Sequence, residues 1–269
     1  MLDALRNSID YPLREWVRWR RNGLRVPNES KQALFAGLLL ADRVQAERTA
    51  ARLLHAYALQ QLHADSRADN YRENLFYLEL LERALDCAAV PLPALVRAAD
   101  VGCAAWNYVP ALHALLRYWH APDGRAVQLR GFEADAYRVH ADFYSRYDHA
   151  LANMRALADL EYVPHAFGAQ PHEYDLITLL FPFLFCGDHL RWGLPRPAFL
   201  PDVLLRSVWA SLRPGGLLII ANQGAAEHAQ QQQLLDQLPA RPLAAFQHQS
   251  PLFTYAVARF VTVCAKPAG

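Results

Sequence analysis

Four groups of residues have types and spacing that could do chemistry. Asp188 and His189 are adjacent in Cys-Gly-Asp-His-Leu-Arg-Trp. An acid beside the side chain that titrates near neutrality is a candidate for an oriented general base. Phe181, Phe183, Phe185 and Trp192 surround this pair, a composition suited to a pocket with apolar walls and few polar groups. Asn222 and Gln223 end the apolar run 217–221, and His228 follows; Asn222 is a candidate lining residue of the same pocket. The fourth group is Asp100-Val101-Gly102-Cys103-Ala104, which follows the apolar run 95–99. Pro110 then opens a helical pattern through Leu112, Leu115, Leu116 and Trp119. Strand, tight loop and helix meet here, and in an open parallel sheet ligands bind at such a junction.

The elements that must position these residues follow from periodicity. Residues 1–22 read as helical, with Leu5, Ile9, Leu13, Trp16 and Val17 on one stripe and Pro12 dividing the helix, the second piece capped by Asp10. The basic run Arg18 to Arg21 reads as a solvated helix end. Ser30 caps a second expected helix reaching about residue 64. Asn70 opens a third with Glu73 as capping-box partner, and Val90-Pro91-Leu92-Pro93 ends it. From residue 95 strands alternate with helices, the signature of a parallel sheet covered on both faces. Strands are expected at 126–133, 161–167, 174–180 and 217–221, with helices from Asp135 to about 157, at 202–212 and at 227–238. The glutamines at 230–233 read as a solvated face of the last helix. Two more strands, near 243–247 and 259–266, close the chain.

Composition narrows the function. Lys plus Arg number 27 against 26 Asp plus Glu, which argues against a dedicated nucleic-acid binder. At 53% apolar residues a large core can form. Cys87, Cys103, Cys186 and Cys264 are scattered without a C-x-x-C pair, so neither a disulfide framework nor a metal site is expected. Asp3, Arg6, Asp10 and Arg14 interrupt the N-terminus, unlike a secretory signal. The apolar run 176–186 is too short to span a bilayer. The expectation is a soluble, cytoplasmic protein with no membrane partner.

Asp-Val-Gly-Cys at 100–103 resembles motif I of the class I S-adenosylmethionine-dependent methyltransferases, D-x-G-x-G-x-G. Asp100 and Gly102 match; Ala104 and Trp106 stand where the second and third glycines belong. Tyr-Asp-Leu-Ile at 174–177, Leu-Arg-Pro-Gly-Gly-Leu-Leu-Ile-Ile at 212–220 and Phe-Val-Thr-Val-Cys-Ala-Lys-Pro at 260–267 follow in the family's order. The resemblance implies a doubly wound α/β fold with seven mostly parallel strands in order 3-2-1-4-5-7-6. It divides the chain into an N-terminal helical cap, 1–92, and a Rossmann-like domain, 93–269. It also implies methyl transfer from S-adenosylmethionine, and the aromatic residues Phe181, Phe183, Phe185 and Trp192 suggest a small-molecule acceptor. Cofactor-binding residues carried over are Asp100, Gly102, Cys103 and Ala104 of the loop, and Glu133, placed where the family sets an acid on the ribose hydroxyls. Tyr71 of the third helix could fold over the cofactor. A nicotinamide dinucleotide ranks lower, because Ala104 adds a methyl group where a pyrophosphate needs glycine. The rival reading is a non-catalytic binding or interaction module on the same fold.

Overall fold

The computed structural model describes residues 2–268; Met1 and Gly269, the outer ends of the two expected domains, lie outside the described residues. Strands β1 (Leu95–Val101), β2 (Ala126–Phe132), β3 (Leu160–Val163), β4 (Tyr174–Leu180), β5 (Leu212–Gln223), β6 (Arg241–His248) and β7 (Arg259–Ala265) form one sheet. Its order is β3-β2-β1-β4-β5-β7-β6. The first five strands pair in parallel, and β7 is antiparallel to β5 and β6. The strand order is the one expected from the resemblance.

The helices are α1 (Leu2–Val17), α2 (Leu40–Ala56), α3 (Gln60–Asp65), α4 (Ala68–Ala88), α5 (Val109–Tyr118), α6 (Arg146–Met154), α7 (Cys186–Arg191), α8 (Pro201–Ser211) and α9 (Gly224–Leu235). Alternation along each strand divides the core into two apolar clusters. Leu75, Leu81, Leu112 and Leu115 of α4 and α5 share one cluster with Ala98, Leu129, Leu176 and Ile219 of the sheet. Leu205, Val208 and Leu235 of α8 and α9 share the other with Ala99, Ile177, Leu218 and Ile220. None of the described helices lies between β3 and β4, so that crossover is a loop. None is long and apolar enough to cross a membrane.

Several local expectations are corrected. Pro12 lies inside an unbroken α1. The stripe Leu5, Ile9, Leu13 and Trp16 faces outward, with Trp16 81% exposed. The polar face docks instead. Asn7 Nδ2 donates to the carbonyls of Leu190 and Leu194, Tyr11 to the carbonyl of Ala134, and Arg14 to Asp135. The basic run Arg18 to Arg21 is exposed, as expected, but lies beyond the end of α1, with Arg20 4.1 Å over Tyr147 and Arg21 4.5 Å over Tyr144. Residues 32–38 form turns, so helix begins at α2 and not after Ser30. Neither α2 nor α4 has a side-chain cap, and Glu73 forms no capping box. Asp135 is not a cap. Residues 134–137 form turns with Asp135 held by Arg14, and α6 starts only at Arg146, capped by Ser145 in a capping box with Asp148. Gln231 is 1% exposed in α9, so the glutamine run is not wholly a solvated face.

Candidate functional site

The loop joining β1 to α5 is built around Trp106. Trp106 has φ +51° and Ala104 +53°, beside Gly102 at +80°. The two positions where glycines were expected therefore keep the left-handed backbone that glycine favours. That conformation costs an ordinary residue ~1–2 kcal/mol. Trp106 offsets the strain by burial: it is fully buried, with Nε1 donating 2.8 Å to Asp100 Oδ2. Its ring lies over Gly131 of β2, where an added Cβ would meet ring carbons at 2.7 Å. Asp100, Gly131 and Tyr162 are in register across β1, β2 and β3, and the indole lies beside this row.

Asp100 is fully buried and also accepts from Thr178 Oγ1 at 2.6 Å. Burial pushes its carboxyl up to about 6 against the opposing pull of these hydrogen bonds. Through these bonds Asp100 ties Trp106 of the loop to Thr178 of β4. Cys103 points into the core with its thiol raised by burial. The amides of Gly102 and Cys103 donate to the carbonyl of Phe132. Ala104 N donates 2.8 Å to Glu133 Oε2. The loop is thus stitched to the exit of β2 through its amides.

Glu133 stands one residue beyond β2, as expected, and is 4% exposed. Its Oε1 accepts from Asp135 N at 2.9 Å and from Arg146 at 3.1 Å. The Arg146 guanidinium also lies 3.7 Å from Asp135 and 4.3 Å over the Trp192 ring. Asp135, raised by burial against the pull of Arg146 and Arg14, is clamped by Arg14 through two bonds of 2.8 and 3.1 Å. The region around the loop and Glu133 therefore joins α1, the 133–145 segment and α6.

A second cluster covers β4, β5 and β7. Tyr77 of α4 stacks on Tyr108 at 4.3 Å, and Phe181, just after β4, lies 6.2 Å from Tyr77. Arg259, the first residue of β7, sits 3.9 Å over Tyr255 and 5.0 Å over Phe181. Sequence reasoning missed Tyr77, Tyr108, Arg146 and Arg259. Their roles come from contacts distant in sequence, and no motif marks them.

The Asp188–His189 dyad is not formed. These residues lie in a short helix, α7, rather than an extended segment. Asp188 is held by Arg191. His189 Nε2 is 2.9 Å from the carbonyl of Pro195, and its ring packs edge-on to Phe183 and Phe199. Phe183 and Trp192 pack together, 5.7 Å apart, on the Arg146 side, whereas Phe181 belongs with Arg259. Asn222 pairs across the sheet with Phe260, and Gln223 with Arg259. Strand alternation sends Asn222 to the face opposite Arg259; it is fully buried, with both amide atoms unpartnered. The proposed pocket residues thus fall into three places. Tyr71 is buried against His63. Its helix neighbours Asn70 and Asn74 are what reach the loop, donating to the carbonyl of Asn107.

No protein-family model matches the chain, and no curated protein matches it in sequence. Solved structures do match. A SAM-dependent methyltransferase from Aquifex aeolicus superposes with a TM-score of 0.50 at 13% identity, over 72% of this chain and 92% of that one. This is the methyltransferase fold. The N-methyltransferase NodS from Bradyrhizobium japonicum superposes at 0.46 and 13% identity, over 74% and 98% of the chains. A SAM-dependent O-methyltransferase from Thermotoga maritima superposes at 0.45 and 14%, over 71% and 65%. At such identities the likeness speaks for the fold alone. In the methyltransferase fold seen here, the altered loop and Glu133 lie at the exits of β1 and β2, and the aromatic cluster with Arg259 at the exits of β4 and β5.

Proposed function

We propose that the chain transfers a methyl group from S-adenosylmethionine to a small-molecule acceptor. The observation that carries this reading is Glu133, a carboxylate one residue beyond β2 that also braces the β1 loop through Ala104 N. A carboxylate there can accept bonds from both ribose hydroxyls. The loop's amides are already bonded to Phe132 and Glu133, so a pyrophosphate would find few donors. A cofactor without phosphate makes a smaller demand on this loop, whose carbonyls at Ala104, Ala105 and Asn107 are likewise engaged, by Tyr162, Asn153, Asn70 and Asn74. The residues fit this cofactor in kind, on one condition: Arg146 must yield its place on Glu133 Oε1 to the ribose.

When bound, S-adenosylmethionine supplies a methyl group already activated by its sulfonium. The chain's own contribution is alignment. Glu133 would hold the ribose, and the loop at Gly102 and Ala104 would flank the methionyl end. Asp100 and Trp106 keep that loop in its left-handed turns and are positioning residues. Tyr77, Tyr108 and Phe181 would wall the acceptor side. Asp188 and His189, engaged by Arg191 and Pro195, would shape the neighbouring segment rather than move a proton. We place the protein in the cytoplasm, as its composition suggests.

One observation favours the second reading, a non-catalytic module: each oxygen of Glu133 is already bonded within the chain. Calorimetry with S-adenosylmethionine on the intact protein separates the two, because only the first requires binding.

A further inference from the structure

Arg259 is a cation buried without a counter-charge. It is 8% exposed. One terminal nitrogen donates 2.9 Å to the carbonyl of Val257, and Nε has no partner. Among the described residues, no carboxylate lies within 4.0 Å of it; the rings of Tyr255 and Phe181 lie against it, Tyr77 is near, and Gln223 and His248 are its register partners on β5 and β6. Glu227 acts on it only at longer range, its own carboxylate accepting from Gln223 N. Aromatic faces attract a guanidinium, but they leave its fork of donors unfilled. That fork is shaped for a planar carboxylate.

We propose that Arg259 receives a carboxylate borne by the methyl acceptor, with Tyr255 and Phe181 as the walls beside it; this rests on the methyltransferase reading. Position favours the acceptor over the cofactor as the source of the anion. In the sheet order, β7 is three strands from β1, or ~14 Å at ordinary strand spacing. The loop and Glu133 lie over β1 and β2, so a ligand held there and a second held at Arg259 can lie side by side. Tyr77, stacked on Tyr108 and near Phe181, stands between the two. An acceptor combining an apolar ring with a carboxylate matches these surfaces.

The test uses benzoate as the anionic probe, benzamide as its neutral counterpart, and S-adenosylmethionine with its decarboxylated form. Each is measured by calorimetry and thermal shift on the full chain. Benzoate should bind the parent and raise its melting temperature, and benzamide should do neither. Arg259→Gln should weaken benzoate at least ~10-fold, as loss of a charge-assisted pair predicts, and leave S-adenosylmethionine binding unchanged. Arg259→Lys should retain part of the benzoate affinity, and it serves if the glutamine variant folds poorly. Equal binding of benzoate and benzamide, or of benzoate to parent and Arg259→Gln, overturns the proposal. So does an Arg259→Gln loss of affinity for S-adenosylmethionine that vanishes with the decarboxylated form, because the anion would then be the cofactor's. A parent that binds benzoate through Arg259 but never S-adenosylmethionine refutes the methyltransferase reading and leaves the anion site standing.

Discussion

Arg146→Gln should weaken the fold and strengthen cofactor binding. The Arg146 side chain is 4% exposed and lies 3.1 Å from Glu133 and 3.7 Å from Asp135. Removing one partner of a buried pair costs ~3–5 kcal/mol, because the other charge stays buried. Asp135 keeps Arg14, and Glu133 keeps the amides of Ala104 and Asp135; these should hold the loss near the lower end. The same change frees Glu133 Oε1. A hydrogen bond to a charged group is worth ~1.5–3 kcal/mol. Without the competitor, S-adenosylmethionine should bind about 10- to 150-fold more tightly. Urea unfolding gives the first quantity and calorimetry the second. A variant that is destabilised but binds the cofactor no better would show that Arg146 does not occupy the ribose position.

Further expectations follow from neighbouring contacts. Asp100 is raised from 3.8 to about 6, so its contribution is fully present below pH ~4 and is lost as pH rises through ~6. A shift of roughly two units corresponds to ~3 kcal/mol, and Asp100→Asn should flatten that fall in urea titrations run from pH 4 to 7. Gly131→Ala should cost ~1–3 kcal/mol or more through overpacking against Trp106; a melting temperature equal to the parent's would contradict the loop geometry. His189→Ala should lower stability through its Pro195 and Phe183 contacts yet leave turnover close to the parent's. A ~10²–10⁴-fold fall in turnover would restore it as a general base. A chain starting at Leu92 lacks α4, whose buried face includes Leu75, Leu78, Leu81 and Leu85, and it should be insoluble; soluble, active protein would show that the cap is separable.

The alternation of strands with helices was legible in apolar runs such as 95–99, 174–180 and 217–221; the strand order came from the resemblance, whose motifs at 100–103, 174–177, 212–220 and 260–267 follow one another in the family's sequence. Glu133 was singled out by the same resemblance, and the structure places it one residue beyond β2. The α1 stripe misled because periodicity reports which face is apolar, not which face docks; Asn7, Tyr11 and Arg14 dock through partners more than 100 residues away. The ion cluster of Arg146 could not be read, since Arg146 meets Asp135 and Glu133 only after residues 133–145 turn back. Adjacency made Asp188 and His189 look like a pair, but in α7 each finds a closer partner. Trp106 read as a lost glycine; in three dimensions it is a ring seated on Gly131 and tied to Asp100.

Whether Glu133 holds the ribose of S-adenosylmethionine is decided by calorimetry on the parent and on Glu133→Ala. S-adenosylmethionine should bind the parent measurably, and Glu133→Ala more weakly, by ~1.5–3 kcal/mol for each ribose hydrogen bond lost. Binding of equal strength to both proteins, or none to the parent, would contradict it.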